Sequence, residues 1–304
     1  MPSPAPDVPE PRSWRHLGAF AAMSLVWGST FLVIRVGNDT APPLWSATLR
    51  LVIAAALLAI IAAIRRIPYP SRAALYGVVP FGILNLGISL SCLYWGEAHV
   101  SSGTAGLFFA TFPLTTAFLA AALRVHSLDP WKTVAAVGGL GGVALVFAGD
   151  VSLGAPPIRL AATATAVPLA SLATVLLKRV PPAPAITTNV VACSIGACVC
   201  FSGSLLAGES HALPATFADW WPILYLALAG NLVAFVLYAW LLTQWTATTL
   251  ATSALITPVL AVTLGAVVRG EALAPLGIAG AALVLAGVAA TLFLTGPARS
   301  RGQA

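Results

Sequence analysis

Ten apolar stretches, at 17–35, 44–64, 74–96, 101–123, 131–149, 160–177, 186–207, 221–243, 247–268 and 275–295, fill nearly all of this 304-residue chain. Each ends at a charge cluster or at Pro/Gly punctuation. A helix needs about 20 apolar residues to cross a bilayer, so the chain reads as ten spans joined by short connections. Charged residues make up 8% and hydrophobic residues 59%, whereas about a quarter of a soluble domain is charged. The chain cannot build a water-facing surface, and a soluble enzyme is excluded. The stretch 160–177 is the least apolar, with many Ala and Thr residues and Pro168. That composition suits a helix lining a water-filled cavity.

The charges set a topology. With a cytoplasmic amino terminus, the cytoplasmic segments collect Arg12, Arg15, Arg65, Arg66, Arg72, Arg124, Lys132, Lys178, Arg179, Arg299 and Arg301, while Arg35, Arg50, Arg159 and Arg269 fall on or near the other face. This positive-inside bias requires an even number of spans with both termini cytoplasmic. The net charge of +6 is spread over helix ends rather than gathered in one run, so no nucleic-acid partner is expected. The Pro-rich residues 1–13 predict a disordered cytoplasmic tail, and 297–304 a second one. The first apolar stretch has no cleavage pattern and is read as a retained span.

Sliding the chain against itself reveals an ungapped repeat at an offset of 145 residues. It pairs Trp95 with Trp240, Thr104 with Thr249, Pro113 with Pro258, Arg124 with Arg269, Pro130 with Pro275 and Gly142 with Gly287. Two five-helix halves follow, 14–150 and 159–296. Five is odd, so the second half enters the membrane from the opposite side. The fold class expected is an all-α membrane protein of ten transmembrane helices in two inverted repeats, an arrangement suited to alternating access.

The run Trp27-Gly28-Ser29-Thr30-Phe31, Arg50 early in the second stretch, the mid-helix prolines Pro113 and Pro258, and Gly270-Glu271-x-Leu273 with Gly280 and Gly287 resemble the EamA domains of the drug/metabolite transporter superfamily. Two copies cover nearly the whole chain. The first half departs from the pattern, with Val125-His126 where the second has Gly270-Glu271. Within the superfamily the chain is most similar to the bacterial aromatic amino acid exporters. The resemblance implies a multi-pass protein of the bacterial inner membrane that exports amino acids or related metabolites.

Asn85, Ser89 and Cys92 recur at helical spacing, followed by Tyr94 and His99; Thr104, Phe108, Thr111 and Thr115 form a second stripe, and Thr249 and Ser253 belong to its repeat mate. Asn231, Phe235 and Tyr238 make a mixed polar and aromatic face. With Trp27 and Thr30, these side chains are the expected lining of a central cavity: hydrogen-bonding groups for the ends of a zwitterion and aromatic surface for its body. Candidate substrate contacts are thus Trp27, Thr30, Asn85, Ser89, Tyr94, His99, Thr104, Phe108, Thr111, Asn231, Tyr238, Thr249 and Ser253. Pro113 and Pro258 each free a carbonyl and mark candidate hinges. Gly138, Gly142, Gly280 and Gly287 read as close-packing positions.

No nucleotide loop, HExxH, GxSxG or metal-ligand pattern occurs in the sequence, and no cofactor, metal or enzymatic activity is expected. Cys92, Cys193, Cys198 and Cys200 lie in apolar stretches as small packing residues. All nine acids fall outside the middles of the stretches, with Glu97 near the outer end of the third reading as a solvated helix-end residue, so the membrane interior is expected to lack a fixed charge. The sequence predicts a monomeric secondary exporter of aromatic and other neutral amino acids. The alternatives are a broad efflux protein for drugs or cationic metabolites and, remotely, a membrane-embedded enzyme.

Overall fold

The computed structural model describes residues 14–123, 130–242 and 253–293. Among them every regular element is a helix. Seven helices are long and apolar enough to cross a membrane: Trp14–Gly37, Pro43–Ile64, Arg72–Glu97, Ser102–Ala122, Pro157–Leu177, Ala185–Leu206 and Phe217–Tyr238. Three shorter apolar helices, Val137–Ser152, Ser253–Arg269 and Pro275–Ala290, occupy the fifth, ninth and tenth apolar stretches.

We label the continuous helical pieces α1 (Trp14–Gly37), α2 (Pro43–Ile64), α3 (Arg72–Phe81), α4 (Leu90–Glu97), α5 (Ser102–Ala110), α6 (Phe112–Ala122), α7 (Pro130–Ser152), α8 (Pro157–Leu177), α9 (Ala185–Leu206), α10 (Phe217–Tyr225), α11 (Ala234–Leu242), α12 (Ser253–Arg269) and α13 (Pro275–Phe293). Between α3 and α4, and again between α10 and α11, the rod winds as a π-helix, at Gly82–Ser89 and Leu226–Val233. These segments start 144 residues apart (226 against 82), one short of the sequence repeat. A π-helix replaces the i→i−4 bond by i→i−5 and is found mostly at functional positions.

Helix starts follow local chemistry. Pro43 opens α2, where its missing N–H costs nothing. The Ser71 hydroxyl accepts from the Ala74 amide to start α3, and Thr216 with Asp219 forms a capping box on α10. The fourth stretch breaks between α5 and α6 at Thr111, two residues before Pro113, whereas α12 runs on through Pro258.

The packing interleaves the two halves. α1 lies against α12, α11 and α5, while α8 lies against α3, α4, the first π segment and α6. α2 packs on α9, and α7 on α13. The α7–α13 contact is backbone to backbone: a Cβ on Gly142 would sit 2.7 Å from the Gly280 carbonyl oxygen, and one on Gly280 2.6 Å from that of Gly142. The close-packing expectation thus holds for this pair. Gly138 has open space instead, because that face of α7 looks outward.

The stretch 160–177 differs from expectation in its polar groups. The hydroxyls of Thr163, Thr165 and Thr174 bond back to carbonyls of α8 itself, and Pro168 is exposed on the outer face. Its Ala and Thr content lets neighbouring helices approach closely.

Candidate functional site

A buried arginine organises the centre of the bundle. Arg50 is the eighth residue of α2, which puts its Cα about 10 Å along the helix from its start, and the residue is 8% exposed. Its Nη2 donates to Asn231 Oδ1 at 2.7 Å and its Nη1 to the Tyr94 hydroxyl at 3.3 Å. Its Nε is buried with no hydrogen-bond partner. Asn231 belongs to the second π segment, and Asn85, the other asparagine singled out from the sequence, to the first.

This corrects one expectation. The bundle interior, expected to lack a fixed charge, holds the guanidinium of Arg50. An arginine within an apolar helix is costly and marks a functional position by default. Its early place in the second stretch made it read as a topology signal.

Glu97 is the second correction. Read from sequence as a solvated helix-end residue, it is fully buried at the end of α4, and neither carboxylate oxygen has a hydrogen-bond partner. The charges of Arg35, Arg50 and Glu271 act on it through space. Arg35 itself donates to the Ala98 carbonyl, and Asn38 to that of Tyr94, fixing the end of α4 against α1.

Beside Arg50, Gly230 leaves room. A Cβ there would meet Arg50 Nη2 at 3.5 Å and Thr30 Cγ2 at 3.4 Å. Thr30 lies one turn beyond Trp27 on α1 and bonds back to the Trp27 carbonyl at 2.6 Å. The Trp27 and Tyr238 rings pack at 5.6 Å, tilted by 46°. Arg50, Tyr94, Asn231, Thr30, Trp27 and Tyr238 therefore form one connected group drawn from α1, α2, α4, the second π segment and α11.

The other candidates sit elsewhere. Ser89 is buried and donates to the Ala166 carbonyl of α8 at 2.7 Å. The Thr104 hydroxyl donates to Asp150 Oδ2 at 2.6 Å, tying α5 to the buried end of α7. The Thr111 hydroxyl bonds back to the Phe108 carbonyl, and Phe108 is 1% exposed in an apolar cluster with Leu107, Val146 and Leu160. Ser253 is buried and Asn85 half-buried. Thr249 lies outside the described residues, as does the side chain of Phe235. Of the cysteines, Cys193 and Cys200 are buried, Cys92 is half-buried and Cys198 exposed.

His99 is exposed just beyond α4. Partial loss of solvation, and then the positive charges of Arg159 and Arg35, hold its imidazole below the usual histidine range. Arg159 stacks 3.6 Å over the Trp95 ring and donates to the Trp95 carbonyl, holding α8 against the same helix end.

That end of the bundle is laced by ties between the halves. Gly270, at φ +66°, ends α12 and turns Glu271 back toward α5. Glu271 Oε2 accepts from the Ser102 amide at 2.9 Å, the Ser102 hydroxyl at 2.6 Å and the Gly103 amide at 3.4 Å. Glu209 caps α2 in the same way, accepting from the amides of Leu44 and Trp45. Arg269 pairs with Asp39. Carboxylates at helix amino termini satisfy free amides and complement the helix dipole.

Comparison with known proteins agrees with this architecture. The EamA-like transporter family matches twice, over residues 14–148 and 159–293. The chain is 27% identical over 224 residues to the uncharacterized inner membrane transporter YedA of Escherichia coli strain K12, covering 73% of this chain and 72% of that protein. It is 35% identical to protein PagO of Salmonella typhimurium, over 31% of this chain and 32% of that protein. A probable terminal-alkyne amino-acid exporter of Streptantibioticus cattleyicolor is 32% identical over 36% of this chain and 37% of its own length. A solved protein crystal structure superposes with a TM-score of 0.60 at 22% identity, covering 92% of this chain and 97% of that one, which shows a shared fold. With both halves matched, this chain belongs to the EamA-like transporter family.

Proposed function

We propose that the protein is a secondary exporter of amino acids, aromatic and other neutral ones, working by alternating access between two inverted five-helix halves. The observation that carries the reading is the connected group at the bundle centre, where a buried cation and neutral hydrogen-bonding groups adjoin the Trp27–Tyr238 ring pair. A zwitterion with an apolar side chain needs all three features.

The ten-span, inverted arrangement is supported by the double family match and by three shorter apolar helices in the places of the missing spans. It is supported further by the packing. Exchanging first half for second maps α1 against α11 and α12 onto α8 against α3, α4 and α6, and both halves carry a π segment in the corresponding rod. With the termini cytoplasmic, the laced end faces outward. Pro113 and Pro258 are the proposed hinges, and Asn85, Ser89, His99, Thr104, Phe108, Thr111, Thr249 and Ser253 belong to the substrate path or its supports.

Reconstitution in liposomes with labelled phenylalanine and threonine tests the reading. Saturable flux above empty vesicles is the expected result, and no flux with any amino acid overturns it. Protection of cells against a cationic dye, but not against toxic amino acid analogues, would instead select broad efflux of cations.

A further inference from the structure

We propose that Arg50 is a carboxylate anchor: its guanidinium takes the anionic end of the transported molecule, whose body extends along α1 toward Trp27 and Tyr238. The inference rests on the transport reading above and names the chemical group that the site selects.

Three observations converge on Arg50. The first is unspent donor capacity. A guanidinium has five N–H donors in a planar fork, yet the acceptors it meets, Asn231 Oδ1 and the Tyr94 hydroxyl, are both neutral, and Nε has none. The second is an unmatched charge. Arg50 takes no part in the ion pairs of Arg269 with Asp39 and with Glu271. Glu97 is buried as well, but neither of its oxygens has a hydrogen-bond partner, so it does not occupy the fork. A buried cation normally has a bound counter-charge, because desolvation without one is expensive. A carboxylate in bidentate contact supplies that charge and uses the planar geometry, which an ammonium group lacks.

The third observation is the shape of the surroundings. Asn231 and Tyr94 orient the guanidinium from two sides, and Gly230 keeps the space between it and Thr30 free of a side chain. Trp27 is three residues from Thr30, and Tyr238 seven from Asn231. At helical rise, the ring pair lies roughly 5–10 Å along the bundle from the cation. That separation suits a molecule with a carboxylate at one end and an apolar or aromatic group a few bonds away. A free carboxylic acid and an amino acid share this chemistry, and the ammonium group distinguishes them.

The test measures binding to the purified full-length protein in detergent with three ligands of one body: phenylalanine, phenylalaninamide and 3-phenylpropanoate. The expected result is that phenylalanine binds, the amide binds at least tenfold more weakly, and 3-phenylpropanoate competes with phenylalanine. Arg50→Lys should weaken phenylalanine at least tenfold. Because Arg50 variants can lose their fold, the ligand series on the unaltered protein carries the decision. Equal binding of phenylalanine and its amide overturns the anchor and leaves the amino acid reading standing. If neither amino acid derivative binds but 3-phenylpropanoate does, the anchor stands and the amino acid reading falls. If none of the three binds, both are overturned.

Discussion

The Glu271 carboxylate, at the start of the connection between α12 and α13, accepts both the amide and the hydroxyl hydrogen of Ser102, at 2.9 and 2.6 Å. One acid of the second half thereby closes the amino terminus of a helix in the first. In the first half, His126 stands at the corresponding place in the sequence.

Replacing Glu271 by Ala should lower stability by about 1 to 2 kcal/mol, the usual cost of losing a helix cap, since the Ser102 and Gly103 amides lose their acceptor. Glu271→Gln keeps an acceptor but not the charge, and should cost less than half as much. Thermal unfolding of the purified protein in detergent measures both.

The Arg269–Asp39 pair at the same end is exposed, and exposed ion pairs contribute about 0–1 kcal/mol. Asp39→Asn should therefore shift the melting midpoint less than Glu271→Ala, and its small effect should vanish at high salt. A larger shift for Asp39→Asn would show that this pair, not the cap, holds the end of the bundle.

Two glycines of α7 one turn apart should respond in opposite ways. Gly142→Ala forces a Cβ against the backbone of Gly280 and Val284 at 2.7–2.8 Å, and overpacking of this kind costs about 1–3 kcal/mol. Gly138→Ala meets nothing within 4 Å and gains helix propensity of up to about 1 kcal/mol. Melting midpoints of the two variants should fall on either side of the unaltered protein.

The lowered proton affinity of His99 has a definite sign. With its folded pKa below the unfolded value of 6.5, the folded protein binds fewer protons than the unfolded chain near that pH. Any contribution to stability is thus complete above pH 6.5 and is lost as pH falls through the folded pKa. An NMR titration of His99 should show a midpoint below 6.5. Arg159→Gln should move that midpoint upward, and an unchanged midpoint would remove Arg159 as a cause.

The membrane class, the run of apolar helices and the family are legible in the order of the residues alone. Hydropathy, charge bias and a repeat offset are properties of the chain in order, and a bilayer reads them locally. The sequence also marked Tyr94, Asn231, Trp27 and Tyr238 by residue type. What it could not rank was the use of each polar group. The hydroxyls of Thr104, Thr111 and Ser89 look alike in sequence, yet Thr104 and Ser89 donate to acceptors on other helices that only folding supplies, while Thr111 bonds back to its own helical stretch. Arg50 and Glu97 escape a reading of the sequence for the same reason. An arginine near a helix start and an acid near a helix end are ordinary in one dimension. They become exceptional only when other helices close over them and a residue 181 positions away, Asn231, becomes the partner of Arg50. Burial and hydrogen-bond satisfaction belong to the packed bundle, so the tertiary structure alone decided where the charge of this protein sits and what chemistry it can receive.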